Sequence, residues 1–230
     1  MIHLRKLSVL TFAFLFSTLM LSAQTGAAKG ETSDPKAKAL LDKVKALYQS
    51  FQSLESNFSL ALKLAEQKKE EVQKGKFYQA GEKSRVEMNN NQLIISDGKI
   101  LWYKVDNTVR ITNASGKGTA GFMSPKDLMT IYEKNDYIFG IFGEAAEGWS
   151  KKATIITFKP INRKGDYTQI RVAIDQKSNN IVSFTAFGKD QSRYKLSIEQ
   201  PLTNKSYAAD FFTFEKSKYP NVKVEDLRID

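Results

Sequence analysis

Leu93-Ile94-Ile95-Ser96-Asp97-Gly98-Lys99-Ile100-Leu101-Trp102-Tyr103 is the stretch that decides the fold class. Two short runs rich in β-branched, aliphatic and aromatic residues, Leu93–Ser96 and Ile100–Val105, flank Asp97-Gly98, a dipeptide that favours a type I′ hairpin. The same grammar extends in both directions. Upstream, Phe58, Leu60, Leu62 and Leu64 alternate with smaller or polar residues, and strand-like runs follow at Lys74–Gln79 and Arg85–Met88. Downstream come Thr108–Thr112, Ala153–Lys159, Tyr167–Asp175, Ile181–Phe187, Arg193–Glu199 and Phe211–Phe214. Lys164-Gly165-Asp166, Ser178-Asn179-Asn180 and Gly188-Lys189-Asp190 supply further turns. About ten or eleven antiparallel strands joined mainly by hairpins predict a mainly β protein built on a single large curved sheet.

Two segments depart from this pattern. Asp34-Pro35 reads as an N-cap followed by proline at the first helical position. Leu40, Leu41, Val44, Leu47, Tyr48 and Phe51 then form one stripe of an amphipathic helix. Between Thr112 and Ala153 strand alternation stops. A loop rich in Gly, Ser and Lys leads to Ser124-Pro125, which opens a short helix carrying Leu128, Met129, Ile131 and Tyr132. The apolar run Tyr137–Phe142 then passes into a Gly/Glu-rich loop ending at Trp149. A sheet of this size must curl or be covered. Helices at 35–52 and 125–133 can cover it but hardly fill it, which points to an apolar cavity, with a filled sandwich core as the other solution.

The N-terminus joins a basic Met1-Ile2-His3-Leu4-Arg5-Lys6 to an apolar run from Leu7 to Leu21 and then Ser22-Ala23-Gln24, the pattern of a secretory signal peptide. The run is shorter than the ~20 residues a spanning helix needs. The expected organisation is therefore a signal peptide over 1–23, a flexible small-polar N-terminus over 24–34 and a single domain over 35–230. Cleavage after Ala27 is the alternative, because Leu21 is a poor residue at the −3 position for cleavage after Ala23.

Composition excludes much chemistry. The chain has no cysteine and one histidine, His3, which lies in the leader. A Cys–His nucleophile, a Ser–His–Asp triad, a zinc site of imidazole or thiolate and a disulfide framework are all ruled out for the mature chain. A carboxylate enzyme would need a second acid beside Asp97, and Asp97-Gly98 is explained by turn geometry. Without Arg5 and Lys6 the balance is 33 basic to 25 acidic side chains, a net +8. The lysines are scattered among acids, as in Glu66-Gln67-Lys68-Lys69-Glu70-Glu71, which is a solvated surface and no nucleic-acid stripe.

Three motifs in order resemble the periplasmic outer-membrane lipoprotein carrier (LolA) family. They are the helix from Leu41-Asp42-Lys43-Val44 to Phe51; the signature Gly75-Lys76-Phe77, Arg85-Val86-Glu87-Met88 and Leu93 to Tyr103; and the ending Phe211-Phe212-Thr213-Phe214 with Pro220-Asn221-Val222-Lys223-Val224-Glu225-Asp226. The resemblance covers essentially the whole mature chain. It implies an unclosed β-barrel of about eleven strands under a helical lid and an apolar cavity for lipid. It further implies a monomeric periplasmic carrier without cofactor. The implied cargo is acylated lipoproteins, the donor an inner-membrane lipoprotein-releasing ABC transporter, and the acceptor sits at the outer membrane. A lipid-anchored receptor of the same fold would need the cysteine this chain lacks, and a lipid sensor with different cargo is the alternative.

Carried onto this sequence, the resemblance places Leu41, Val44 and Leu47 of the helix toward the cavity, with Val86, Met88 and Ile94 on two strands. Leu128, Met129 and Ile131 are the lid residues, and Phe184, with Val182 and Ala186 on the same strand face, meets them. Many members carry an Arg-Pro pair shortly before the Arg-Val-Glu-Met segment, and the arginine is linked to holding the lid closed. The corresponding residues here are Ala80-Gly81, so the latch must differ. Arg85 reads as a surface or strand-edge residue.

Overall fold

The structure is a computed structural model that describes residues 30–67, 69–114, 131–133 and 135–228. The expected signal peptide lies outside the described residues. One helix, α1 (Pro35–Ser50), precedes the strands. Its first turn forms as the sequence predicts: the Asp34 carboxylate accepts the Lys36 N–H at 2.8 Å, and Pro35 occupies the position where no N–H is needed. Residues just before the helix, expected to be loose, are tied down. The Asp34 N–H donates to the Phe139 carbonyl at 2.8 Å, and Lys159 pairs with Glu31 at 2.6 Å.

The strands are β1 (Ser53–Lys63), β2 (Glu71–Ala80), β3 (Lys83–Met88), β4 (Leu93–Ser96), β5 (Ile100–Val105), β6 (Thr108–Asn113), β7 (Tyr137–Glu147), β8 (Ser150–Pro160), β9 (Tyr167–Asp175), β10 (Ile181–Gly188), β11 (Arg193–Ile198), β12 (Leu202–Thr203) and β13 (Lys223–Asp226). They form one unclosed sheet in the order β13-β6-β5-β4-β3-β2-β1-β11-β10-β9-β8-β7, with β12 beside β1. All pairs are antiparallel except β13 with β6. The strand β1 is the seam: on one side it pairs with its sequence neighbour β2, on the other with β11, bringing Phe58 beside Ile198.

Three expectations need correction. The apolar run Tyr137–Phe142 and the residues up to Glu147, expected as a Gly/Glu-rich loop, form one 11-residue edge strand, Tyr137–Glu147. Its pairing with β8 is interrupted between Ile141 and Gly143 and between Ala145 and Glu147, and such bulges break the two-residue period by which a strand is recognised. Phe211–Phe214 is not a strand but a turn segment lying on the sheet. The β4–β5 turn is not type I′, because Gly98 has a positive φ (96°) and Asp97 does not. The Asp97 carboxylate instead accepts the N–H groups of Lys99 (2.8 Å) and Ile100 (2.7 Å).

Candidate functional site

Strand register places apolar side chains in continuous rows on the face that meets α1. One row runs Leu60, Leu196, Phe184, Val172 and Ile156 across β1, β11, β10, β9 and β8. The next runs Leu62, Tyr194, Ala186, Ile170, Phe158 and Phe139, reaching β7. On the other side of the seam, Phe77, Val86, Ile94 and Tyr103 form a matching row. Because side chains alternate along each strand, every one of these rows belongs to a single face.

The helix covers one end of this surface. Its Ala37, Leu41 and Val44 are buried against Phe139, Ile156, Phe158, Val172, Ile174, Ile181 and Phe184. A second cluster of Leu54, Phe58, Phe77 and Val86 occupies the far side of the seam, and Tyr48 touches both. The Tyr48 hydroxyl accepts the Ile181 N–H at 3.1 Å, and burial pushes its phenol up to about 12. Gly75 is required beneath Phe58: a Cβ there would stand 2.7 Å from the ring and 2.5 Å from the Glu87 carbonyl oxygen. Leu60, Leu62, Ala186 and Tyr194 belong to neither cluster and stay only part-buried, as do Ile170 and Leu196 packed against the helix cluster.

The short 3-10 turn Ile131–Glu133 is fastened to α1 by polar groups. The Tyr132 hydroxyl donates to the Asp42 carboxylate at 2.9 Å, and Lys45 forms an ion pair with Glu133. Tyr132 also sets its ring edge-on to Phe139, with centroids 6.1 Å apart. Burial first, then the Asp42 carboxylate, pushes the Tyr132 phenol well above its ordinary value, while hydrogen bonds from Lys38 and then Tyr132 lower Asp42.

The structure brings most of the sequence-predicted residues to this face. Leu41 and Val44 are buried in the helix cluster with Phe184, and Val86 is buried across the seam with Met88 and Ile94 packed beside it. Ala186 is part-buried in the second row. Leu47 is half-buried and belongs to neither cluster. Val182 does not share the face of Phe184. A bulge between Ile181 and Ser183 inserts one residue and turns Val182 to the opposite side, where it packs with Ala153 and Ala173. Leu128 and Met129 lie outside the described residues, as does the Ile131 side chain. Phe139, Ile156 and Phe158, which the sequence reading does not single out, also stand on this face, although the alternation of Ile156 and Phe158 is visible in the sequence.

The opposite, outer face is covered differently. Register aligns Glu55, Tyr78, Arg85, Ile95, Trp102 and Ile111 in one row from β1 to β6. The segment after β12 crosses it. Tyr207 stacks on Phe211 at 4.9 Å, and Phe211 meets the Tyr78 ring edge-on at 5.0 Å. Arg85 is not a surface or edge residue: its guanidinium lies 5.0 Å from the Phe211 ring, donates to the Phe211 carbonyl at 3.1 Å and bonds Glu87 at 2.7 Å. Glu55, 5% exposed, accepts from Lys205 at 2.7 Å and from the Tyr207 hydroxyl at 3.1 Å. Lys205 above all holds the Glu55 carboxyl below the usual carboxylate range, against the opposing pull of burial, with Tyr207 and Lys76 assisting.

Among the described residues no group of three or more His, Cys, Asp or Glu side chains could hold a metal ion, and no helix is long and apolar enough to cross a membrane. Residues 49–215 match the model of the family described as outer membrane lipoprotein carrier protein LolA. No curated protein sequence matches the chain. Among solved structures, a conserved protein from Thermus thermophilus aligns with a TM-score of 0.55 at 10% identity, covering 83% of this chain and 99% of that one. The Mycobacterium tuberculosis lipoprotein LppX aligns with a TM-score of 0.45 at 12% identity, covering 77% and 100%. A LolA superfamily protein from Nitrosomonas europaea gives 0.41 at 12% identity, covering 77% and 97%.

Proposed function

The chain belongs to the LolA family of outer membrane lipoprotein carrier proteins, and we propose that it holds lipoprotein acyl chains on the helix-side face of its sheet. On this reading it is exported with its leader removed. It accepts lipoproteins from an inner-membrane lipoprotein-releasing ABC transporter and passes them to an acceptor at the outer membrane. The observation that carries the reading is the pair of apolar rows through Phe184 and Ala186, which extend beyond the cover that α1 provides.

The task is one of solvation. Each acyl methylene resists transfer into water by about 0.8 kcal/mol, so a chain of about sixteen carbons resists crossing an aqueous compartment by on the order of 12 kcal/mol. A carrier needs an apolar surface of comparable extent, and it needs a cover that competes with cargo for that surface so that cargo can leave. The bonds from Tyr132 to Asp42 and from Lys45 to Glu133 hold the segment before β7 on α1, and in this reading they take the place of the family arginine. Ala80-Gly81 stands in the β2–β3 turn, with Gly81 at φ 58°. This departure favours a second reading, the same surface used for lipids other than lipoproteins.

Mass spectrometry of organic extracts from the protein purified out of the periplasm separates the two: lipoprotein acyl chains support the first, phospholipid alone the second. A photo-crosslinker at Ile94 or Ala186 should label acyl cargo, and one at Val182 on the opposite face should not. Labelling at Val182 with none at Ile94 and Ala186 would overturn the assignment of the face.

A further inference from the structure

We propose that the outer face carries a separate site for a small ligand bearing an oxyanion, a carboxylate or a phosphate ester, with Lys104 as its charged anchor. Two turns stand side by side at one end of that face, Asn89–Gln92 between β3 and β4 and Asp106-Asn107 between β5 and β6. Each contains a residue in the left-handed region, Asn91 (φ 63°) and Asp106 (φ 49°). Tyr219, from the segment before β13, stands at the third side. Together they line an open cleft of about 490 Å³, within the roughly 300–1,000 Å³ range of small-molecule sites.

Lys104 lines this cleft and is 9% exposed. An ammonium has three N–H donors. Among the described residues one reaches the Asn91 carbonyl at 3.3 Å, and the Tyr219 ring lies 5.4 Å from the nitrogen. No carboxylate lies within ion-pair distance of it among the described residues, whereas Arg85 and Lys205, which hold the C-terminal segment on this face, are matched with Glu87 at 2.7 Å and with Glu55 at 2.7 Å. A buried ammonium without a counter-charge is costly unless hydrogen bonds or a ligand complete its shell. Of the two acids at the cleft, Glu87 is taken by Arg85, and Asp106 belongs to an exposed turn. The rim adds the carboxamides of Asn90, Gln92 and Asn107, which are hydrogen-bond donors suited to an oxyanion. The Phe214 ring stacks on Tyr219 at 5.2 Å, and this contact supports the wall.

The site is independent of the acyl-binding reading because its charged residue points away from the face that meets α1. Titration of the full chain with glucuronate, glucose 6-phosphate and neutral glucose, followed by calorimetry and by the backbone amide resonances of Asn91 and Asn107, tests it. One or both charged sugars should bind and shift those resonances, and glucose should bind at least tenfold more weakly. Glucuronate alone identifies a carboxylate ligand, and glucose 6-phosphate alone a phosphate ester. Lys104→Met should weaken binding at least tenfold. Asn107→Asp, on an exposed turn, places a negative charge at the rim without disturbing the buried lysine and should do the same if Lys104→Met fails to fold. Equal binding of charged and neutral sugars, unchanged affinity in either folded variant, or no binding by the wild type would each overturn the proposal.

Discussion

The two faces of the sheet are made by the same strands and covered by opposite means. On the helix side, a regular 16-residue helix lays one apolar stripe over aliphatic and aromatic rows, and apart from the Tyr48 hydroxyl on the Ile181 N–H its polar contacts lie along its edges. On the outer side an irregular C-terminal segment spans β1 to β6 through stacked rings, a guanidinium over an aromatic face and a buried carboxylate. Non-directional burial suits a surface that must accept flexible chains and let them go. Hydrogen-bonded and ion-paired cover fixes one arrangement, because each partner lost leaves a desolvated group behind. The difference teaches that the helix-side cover can slide or lift with few polar groups stranded, whereas the segment from Lys205 to Phe211 is held in one arrangement.

The strongest way to break this comparison is through the helix cluster. Phe158→Ala, at a fully buried position, should cost about 3–5 kcal/mol, read as a lowered midpoint of denaturant unfolding. Phe211→Ala, part-buried on the outer face, should cost less than half as much; equal losses would mean the two covers are equivalent. A second test is electrostatic. Lys205→Met should cost about 1–2 kcal/mol at neutral pH, the pair being half-exposed on the lysine side. Glu55 has a lowered folded value, so its contribution is present above about 4.5 and is lost as pH falls through that lowered value. The gap between variant and wild type should therefore close in acid. A gap that persists after Glu55 is protonated would show that the pair does not hold the segment. The smallest effect is expected from Tyr132→Phe, which removes the bond to Asp42 and should cost about 1 kcal/mol while raising acyl affinity, because the cover competes less well. Lowered affinity would mean that Tyr132 serves cargo, not the cover.

Local patterning made most of the sheet legible. Leu93–Ser96, Ile100–Val105 and Tyr167–Asp175 are strands with the bounds that alternation and turn residues predict. Asp34-Pro35 marks the helix start, and the stripe through Leu41 and Val44 is its buried side. What escaped was set by irregularity or by distance. Bulges hid β7 from the two-residue period and sent Val182 to the wrong face. The aromatic run at Phe211–Phe214 looked like a strand because rings that cover a sheet share the composition of rings within one. Nothing near Arg85 in sequence announces Phe211, which lies far along the chain, so its role as an anchor could be read only from the tertiary structure.

The seam between β1 and β11 has a consequence for the order of assembly. Apart from the short pairings of β13 with β6 and of β12 with β1, every other pairing in the sheet, β1 through β6 and β7 through β11, joins strands adjacent in sequence and can close as a hairpin once its turn forms. The seam joins residues 58–63 to residues 193–198, and its loop-closure entropy must be met before any of its bonds form. The two meanders are therefore expected to form early and to meet late. Until they meet, the chain presents two raw strand edges, β1 and β11, in the centre of what will become a continuous sheet. A polypeptide synthesised N-terminus first exposes the β1 edge for the whole time needed to deliver β11.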